Sequence, residues 1–593
     1  MEQPQYYVDR FAIKNDSVFG TQLLLDLDAY QLFGIRNAPP GTDWTVSLDY
    51  LSDRGFGYGT AFQYDRPGLL TIPGPTQGDL DAWFIKDEGR DNLGRDRRAV
   101  PPEQDFRGRV FWNHRQHLRH NVTLSGELGW ISDRNFLEQY YEREWDEWKD
   151  LDTDLELKQI FDNQSWSLLA SVRLYEFVTE TEWLPRLDHF WLGQPLLGNQ
   201  LTWFEHSQAG YARLRPADPP TDPAGAAVWW PLPWQPPVQG ARLVTRQELD
   251  WPLPLGPVKV VPYALGELAY WTEAIDGDSL DRAYFQAGLR ASLPLWTVNP
   301  LVESQLFNVH GLAHKVVFDA ELAYADANRD LAELAFYDSF DDHAIQDFNR
   351  RFPWTTFGGS VPPPPQFDPR FYALRTGLAG WVTAPVAEIA DDLTAVRMGM
   401  RHRWQTKRGR PDARQILDWV TFDTNAVWFP DPDRDNFGAD VGLVDYDLRW
   451  HAGDRLTLAS DGGFDFFADG LRTVSLGGFL ARPPRGSAYL GYRIFSGPFS
   501  SNVLNASYAY WMSPKWVSVL GTSIAFGSQG NVGQRFSVTR IGESLLVTLG
   551  FDYDASKDAV GVQFLVEPRF LPRTQLGALP GLQIPAAGAF GLE

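Results

Sequence analysis

Apolar and polar residues alternate with a period of two along most of the chain. In the segment 282–293, apolar Phe285 and Leu289 alternate with polar Gln286 and Arg290. Successive side chains of a β-strand point to opposite sides, so this segment is predicted as a strand with one apolar and one polar face. The same alternation recurs in three further segments: 122–130, 444–450 and 544–553.

Turn signals and polar stretches separate the predicted strands. Asp469-Gly470 is typical of a tight hairpin, because a type I′ turn needs positive φ at both central positions. Longer polar segments predict loops, and two segments rich in helix-forming and aromatic residues predict loop helices. The expected loops are 66–105, 214–240 and 327–369, and the expected helices are 136–148 and 328–348.

The strand pattern and the lack of a long apolar run together favour a membrane barrel. No stretch of roughly 18 apolar residues is present. A backbone in hydrocarbon must satisfy its own hydrogen bonds, which leaves only helices and closed barrels. We therefore predict an all-β fold, a single large antiparallel transmembrane β-barrel of about 26 strands with short periplasmic turns and long extracellular loops. Periodicity alone also fits a soluble sandwich or propeller.

Composition narrows the possible partners. Aromatic residues make up 14% of the 593 residues, including 24 tryptophans, which suits aromatic girdles at two membrane interfaces. A net charge of −23 argues against a nucleic-acid partner, since binding phosphates requires clustered basic residues. The absence of cysteine excludes disulfides and thiolate metal sites.

Three short motifs near the start of the chain carry a family resemblance. The segment 49–55 reads DYLSDRG, 111–114 reads FWNH, and 131–136 reads ISDRNF. In order and approximate spacing they resemble the opening of the barrel of the LptD family, the lipopolysaccharide-assembly proteins also called organic solvent tolerance proteins. The motifs cover about a quarter of the chain, whereas the many-stranded architecture matches over nearly all of it.

This resemblance implies a bacterial outer-membrane location and a division of the chain. Residues 1–14 would be a remnant of an N-terminal periplasmic segment, 15–570 the transmembrane barrel, and 571–593 a C-terminal tail. Met1–Arg10 carries no apolar signal-peptide core. Little of the family's periplasmic jelly-roll domain could fit within residues 1–14, and the cysteines of well-known members do not occur in this sequence. The prolines of the family's first strands are missing from 18–33 and 44–51, which leaves the details of the gate open.

The resemblance also implies transport. Lipopolysaccharide, or a related glycolipid, would be inserted into the outer leaflet through the lumen and through a lateral gate between the first and last strands. We expect that seam to join 18–33 with 560–570. The expected gate residues are Gly20, Gln22, Gly561 and Pro568. Proline cannot donate to a ladder, although Pro568 simply ending its strand is the favoured alternative.

A polar path is expected inside the barrel. Asp26 and Asp28 share one face of an early strand, and Arg397, Arg401 and Arg403 share one face of another. Arginine suits oxyanion binding, so this stripe would contact phosphates or acidic sugars. The plainer interpretation, which we favour, is that these arginines pair with luminal carboxylates.

The sequence contains few features that indicate enzymatic activity, and we expect no catalytic site, metal or cofactor. His114, His117 and His120 are spaced like metal ligands, but no carboxylate lies at a fixed spacing from them. The resemblance instead implies lipopolysaccharide, outer-membrane lipid, an LptE-like lipoprotein plug and a periplasmic Lpt bridge protein as partners. An outer-membrane porin or uptake channel is the alternative, followed by a soluble all-β carbohydrate-active protein.

Overall fold

Within the described residues, twenty-seven β-strands form one sheet that closes on itself. The computed structural model describes residues 7–69, 72–359, 363–410, 412–526 and 530–569. The strands of the first half are β1 (Val8–Asp16), β2 (Gly20–Asp28), β3 (Thr42–Leu51), β4 (Gly55–Leu69), β5 (Ile72–Lys86), β6 (Phe106–His117), β7 (Val122–Ile131), β8 (Asp154–Phe161), β9 (Gln164–Ser171), β10 (Glu180–Leu196), β11 (Leu201–Arg215), β12 (Gln239–Asp250), β13 (Leu253–Leu255) and β14 (Val258–Trp271). Those of the second half are β15 (Leu280–Ser304), β16 (Val309–Ala327), β17 (Leu393–Arg408), β18 (Gln415–Trp428), β19 (Val441–His451), β20 (Leu456–Phe464), β21 (Arg472–Arg482), β22 (Gly486–Ser496), β23 (Ser501–Ser513), β24 (Trp516–Ala525), β25 (Gly530–Ile541), β26 (Leu545–Asp554) and β27 (Ala559–Pro568).

The ring contains 26 strand positions, because β12 and the three-residue β13 both pair with β14 and together occupy one position. All pairings are antiparallel, and β1 pairs with β27 to complete the circle. A closed barrel leaves no free sheet edge, which is the condition for β-structure in a bilayer. The predicted fold, a single antiparallel barrel of 26 strands, is confirmed.

Two predicted boundaries near the N-terminus need correction. The barrel begins at Val8, so residues 8–14 are part of its first strand rather than of a periplasmic remnant. Phe11 and Ile13 on one face and Lys14 on the other already carry the alternation, but the run is short. Similarly, β4 and β5 extend into the first half of the predicted 66–105 loop, which shrinks to 87–105. The predicted tail, 571–593, lies outside the described residues.

The two faces of the strands differ as the alternation predicts. On β15, Arg282, Tyr284 and Gln286 are buried on the inner side, while Phe285 and Leu289 are 49% and 40% exposed on the outer side. Apolar side chains on neighbouring strands extend this surface around the barrel, including Leu268, Leu322 and Phe318. An apolar exterior around a polar interior is the arrangement of a transmembrane barrel and the reverse of a soluble one.

The two rims of the barrel differ in the length of their connections. The short-turn rim holds the start of β1 at Val8, the end of β27 at Pro568, and tight connections such as those after β15 and β23. The opposite, long-loop rim holds the large insertions. These are the loops 87–105, 132–153, 216–238, 328–392 and 429–440. By the usual asymmetry of outer-membrane barrels, the long-loop rim corresponds to the extracellular side.

Helices are confined to connections. They are α1 (Ala29–Leu32), α2 (Phe136–Tyr140), α3 (Glu142–Glu147), α4 (Pro223–Ala227), α5 (His343–Phe357), α6 (Pro369–Thr376) and α7 (Pro432–Asp435). The predicted helix at 136–148 is present as α2 and α3, whereas α5 begins later than predicted because Asp342 caps it by accepting from the Ile345 amide at 2.8 Å. None of the described helices has the length and apolar character needed to span a membrane.

The apolar core lies at the long-loop rim rather than along the barrel axis. There the loops pack onto the ends of the strands and bury large side chains between them. One cluster joins Trp183 and Trp271 at strand ends to Leu334 and Tyr337 of the 328–392 loop. A second joins that loop to Trp234 of the 216–238 loop and includes Phe336 and Ile389, and a third surrounds Phe136. These clusters fix the loops as a cap on one end of the barrel.

Candidate functional site

The 328–392 loop turns into the barrel and divides its interior. Its inward segment reaches Arg290, near the middle of β15: Nη2 of Arg290 donates to the Gly380 carbonyl at 3.2 Å, and the guanidinium lies 4.1 Å from the centre of the Trp381 ring. On β12, the Glu248 carboxylate accepts from the Val382 amide at 3.1 Å. The loop therefore obstructs the lumen at the long-loop rim.

Beside this loop lies a luminal cavity of about 1050 Å³. It extends from β12 to β22, and its wall combines cations and carboxylates with a few aromatic rings. The charged residues that line it are Asp250, Lys259, Arg290, Asp319, Glu321, Arg397, Arg401, Asp445 and Asp465. Mixed charge of this kind suits a hydrated, polar solute rather than an apolar one.

Arg290 is held in place from several sides. It lies 2.8 Å from Glu248 and 3.1 Å from Glu321, and its guanidinium stacks 3.8 Å from the centre of the Tyr263 ring. A planar guanidinium can satisfy carboxylates at its edge and aromatic rings on its faces at the same time. Periodicity predicted that Arg290 faces inward but gave no sign of these partners.

Each arginine of the predicted luminal stripe contacts a carboxylate. Arg397 lies 3.3 Å from Glu321, Arg401 pairs with Asp319, and Arg403 donates to Asp423 through Nη2 at 2.7 Å. Arg397 and Arg401 line the cavity. In Arg397, Nε and Nη2 are buried without a hydrogen-bond partner among the described residues. Neither atom is accessible to solvent, so these two donors do not face the open part of the cavity.

The predicted aspartates do not join this stripe. Asp26 on β2 forms a 2.7 Å ion pair with Arg10 on β1, and Asp28 caps α1 by accepting from the Gln31 amide at 3.1 Å. Strand β2 lies roughly halfway round the ring from the strand that carries Arg397. The five residues predicted as one polar path therefore do not form a single site.

The closing seam joins different residues from those predicted. Phe11–Asp16 of β1 pairs with Gly561–Val566 of β27, so the prediction that 18–33 forms one side of the seam is wrong. The missed strand is short and sits at the start of the chain, where the sequence offered no long alternating run. The seam has six residue pairs, the same number as β7–β8 and β9–β10, whereas β1–β2 has eight and β26–β27 has ten.

Gly20 and Gln22 lie one strand away from the seam. Gly20 begins β2 with φ +69, and a Cβ there would lie 2.2 Å from Ser52 Oγ, so the tight turn after β1 requires glycine. The side-chain amide of Gln22 donates to the Asp16 carboxylate, and this hydrogen bond links β2 to β1 rather than to β27. Gly561 faces Asp16 in the seam itself, and Pro568 is the last residue of β27, beyond the six pairs.

The seam lacks side-chain links. Among the described residues, no side-chain hydrogen bond or ion pair joins Phe11–Asp16 to Gly561–Val566. At the long-loop rim the Ser17 amide donates to the Val560 carbonyl at 3.2 Å, and Ser17 Oγ accepts from the Val560 amide at 3.3 Å. By contrast, the Arg10–Asp26 ion pair and the Asn15–Thr21 hydrogen bond tie β1 to β2.

Two buried charge clusters fasten the loops of the long-loop rim. Arg107 donates to Asp87, Asp91 and Asp133 at 2.6 to 2.9 Å and so joins the loops on either side of β6 and β7. Arg242 on β12 binds Asp338 at 2.7 Å and Glu388 at 2.6 Å, both from the 328–392 loop. Sequence reasoning missed both clusters because their members are distant along the chain.

The charge states of these carboxylates follow from their surroundings. Burial opposes ionisation of Asp338, but Arg242 outweighs it and holds the pKa of that carboxyl below its usual value. Burial raises the pKa of Glu388, which shares the same arginine. Burial also opposes ionisation of Asp87, but Arg54 and surrounding hydrogen bonds keep its pKa lowered. Arg242 therefore offsets the unfavourable burial of the Asp338 carboxylate fully and that of the Glu388 carboxylate only in part.

The three histidines with metal-like spacing do not converge. His114 on β6 binds the Tyr64 hydroxyl through Nδ1 at 2.7 Å, while His117 ends the strand and His120 lies in the following turn. An extended strand carries these side chains apart from one another.

No protein-family model matches the chain, and no curated protein sequence matches it significantly. Among solved structures, two mutants of the Rh. blastica porin are similar at 10% and 9% sequence identity, over 55% of this chain and 90% of theirs, each with a TM-score of 0.20. A structure described as "Asymmetric conductivity of engineered proteins" is similar at 8% identity over the same shares, with a TM-score of 0.19. The strand pairing of this chain itself establishes a closed 26-strand barrel with a polar, partly filled lumen.

Proposed function

We propose that this chain is a bacterial outer-membrane translocon that inserts lipopolysaccharide, or a related glycolipid, into the outer leaflet through a lateral gate. The observation that carries the proposal is the seam between β1 and β27, six residue pairs long and without side-chain links. The motifs shared with the LptD family support the same task.

A lateral gate requires a seam that can part without breaking buried ion pairs. Within the six pairs of the β1–β27 seam, backbone hydrogen bonds join the strands, and among the described residues no side-chain hydrogen bond or ion pair crosses these pairs. Separation of β1 from β27 exposes their backbone N–H and C=O groups to the headgroup region and to the hydrated lumen, where water can form hydrogen bonds with them. Parting β1 from β2 would also break the Arg10–Asp26 ion pair, so β1 would leave β27 and stay with β2.

The blocked long-loop rim favours sideways exit. Residues of the 328–392 loop are tied to Arg242, Arg246 and Arg290, three luminal arginines, and the loop fills the axis at this end. A bulky glycan moving straight out of the barrel would have to break these buried contacts. Opening of the seam instead gives the two parts of the glycolipid adjacent exits: the glycan can enter water while the acyl chains enter the lipid.

The lumen has the chemistry that a phosphorylated glycan requires. Arg397, Arg401 and Lys259 line the same cavity. Charge-assisted hydrogen bonds from arginine suit phosphate and acidic sugars. Outside, the apolar face that carries Ile13 and Phe564 beside the seam is a suitable surface for acyl chains.

The proposal assigns each rim a partner. The short-turn rim would face the periplasm and receive the glycolipid from a periplasmic Lpt-type bridge protein. A lipoprotein plug of the LptE kind would occupy the open part of the lumen. Both partners come from the family resemblance.

A reversible seam lock tests the gate. Because the chain has no cysteine, Ile13→Cys with Phe564→Cys forms the only disulfide, across the directly paired positions of β1 and β27. Ile13→Cys with Leu23→Cys is the matched control, since Leu23 pairs with the same residue from β2. In cells that depend on this protein, we expect the seam lock to abolish surface lipopolysaccharide delivery, a reductant to restore it, and the control lock to leave it intact.

Depletion of the unmodified protein separates transport of glycolipid from transport of small solutes. We expect surface lipopolysaccharide to fall. If it stays constant while small-solute uptake falls, the chain is an outer-membrane channel and the proposal fails. If depletion lowers surface lipopolysaccharide but the seam lock does not, the lateral gate is wrong and the transported class stands.

A further inference from the structure

Three segments at the long-loop rim converge on a pocket of about 260 Å³. The 132–153 loop contributes Asp150 and Asp152, β10 contributes its first residue, Glu180, and α5 contributes its first residue, His343. One ligand atom from each of Asp152, Glu180 and His343 lies within 4.8 Å of the others. Asp154, at the start of β8, also lines the pocket.

The imidazole of His343 is buried but lacks good hydrogen bonds. Its side chain is 7% exposed, Nδ1 lies 3.4 Å from Asp150 Oδ1, and Nε2 lies 4.0 Å from Glu180 Oε1. Among the described residues, neither ring nitrogen has a partner with hydrogen-bond geometry. Buried imidazoles normally bind a partner through at least one nitrogen, so Nε2 points into the pocket as an unused ligand.

The backbone holds His343 in this position. The Asp150 carboxylate accepts from the His343 amide at 3.2 and 3.0 Å, and Asp342 caps the next turn of α5. The first helical residue therefore stays fixed against the 132–153 loop, with its side chain directed at Glu180. This is the kind of backbone support that keeps a ligand oriented.

Negative charge in the pocket is incompletely balanced. Lys149 binds Asp152 at 2.8 Å but also binds Glu127, and Arg186 at the pocket edge binds Asp188 and Asp338 instead. Glu180 and Asp154 have no hydrogen-bond donor among the described residues.

We infer that Asp152, Glu180 and His343 form a binding site for a divalent transition-metal ion, with Asp150 and Asp154 beside it. One imidazole with two or three carboxylates is a ligand set for Zn²⁺ or Mn²⁺, whereas Ca²⁺ and Mg²⁺ prefer oxygen ligands alone. Bound metal would draw the ligand atoms closer together and fasten α5 to the barrel rim. The site is independent of the proposed transport function.

Zn²⁺ binding to the full chain in detergent, after dialysis against a chelator, tests the inference. We expect one Zn²⁺ per chain by calorimetry, with affinity reduced about tenfold or more by His343→Gln and by Glu180→Gln. The matched control is His120→Gln, in a turn at the short-turn rim, which leaves affinity unchanged. Circular dichroism confirms that each variant keeps its barrel.

A second measurement does not depend on the variants. Zn²⁺ is expected to slow amide hydrogen exchange in 343–357 of the unmodified protein, and the chelator to reverse this. The inference is overturned if the dialysed protein takes up no Zn²⁺. It is equally overturned if His343→Gln and His120→Gln bind Zn²⁺ alike, or if Ca²⁺ binds as tightly as Zn²⁺ with no dependence on His343.

Discussion

Arg242 and Glu388 form an ion pair of 2.6 Å across 146 positions of the chain, and neither side chain is exposed to solvent. Asp338 binds the same guanidinium at 2.7 Å, so one arginine of β12 holds both ends of the 328–392 loop. The loop that obstructs the lumen is therefore fixed to the barrel wall by a charge cluster, in addition to its apolar contacts.

Removing Arg242 should release this loop. Arg242→Met leaves Asp338 and Glu388 buried without a cation, and breaking such a cluster costs about 3–5 kcal/mol. We expect faster amide hydrogen exchange in 377–392, with the barrel strands unaffected. Arg213→Met on β11 is the control, because Arg213 is partly exposed and surface ion pairs contribute about 1 kcal/mol or less. Equal exchange in the two variants would show that the apolar contacts alone hold the loop.

Arg107 should not tolerate replacement by lysine. Its guanidinium has no solvent exposure and binds three aspartates from two loops, whereas a lysine has one nitrogen and cannot reach all three. We expect Arg107→Lys to destabilise the docking of the 87–105 and 132–153 loops together, by about 2 kcal/mol or more. Limited proteolysis measures this. Arg143→Lys, in an exposed pair with Glu147, should leave the cleavage rate unchanged.

The same loops should loosen at alkaline pH. Burial and the nearby Asp87 raise the pKa of Tyr140 far above its usual value of 10, and its hydroxyl donates to Asp87 at 2.8 Å. The tyrosine ionises more readily in the released loop, so its stabilising contribution is complete below pH 10 and is lost as the pH rises above 10. Hydrogen exchange of the 132–153 loop is therefore compared at pH 8 and at pH 11. The first value lies below and the second above the usual tyrosine pKa of 10, which applies to Tyr140 in the released loop.

Tyr140→Phe is the matching variant for this pH effect. It removes the ionisable hydroxyl and keeps the ring that stacks on Phe136 at 5.2 Å. We expect the alkaline loosening of the 132–153 loop to become weaker in this variant. An unchanged pH dependence would assign the effect to other buried tyrosines, of which Tyr141 and Tyr175 also have raised pKa values.

A charge on the outer face should oppose membrane insertion. Leu289 points outward and is 40% exposed, whereas Ser292 on the same strand points inward and lines the lumen. Leu289→Lys should reduce the stability of the barrel in lipid vesicles by about 2–4 kcal/mol, measured by urea unfolding. Ser292→Lys should have a much smaller effect. The opposite order of the two variants would contradict a lipid-facing exterior.

Alternation made the strands predictable, and the seam shows where it stopped being sufficient. On β15, the inward position of Arg290 and the outward position of Leu289 follow from the period of two alone. In the first strand, Val8–Asp16, the alternation is interrupted, because polar Asp9 and Asn15 fall on the same face as Phe11 and Ile13. Its assignment depends on β27, which lies at the other end of the chain.

The sequence by itself determined the class of fold, the approximate number of strands and the side of each strand that faces lipid. These are local properties, because each residue's direction depends only on its position in the alternation. Only the tertiary structure decided which strands close the ring, how the 328–392 loop enters the lumen, and which partners Arg242, Arg107 and His343 acquire. Those contacts join residues far apart in the chain, and one sequence carries no signal of its own for such pairs.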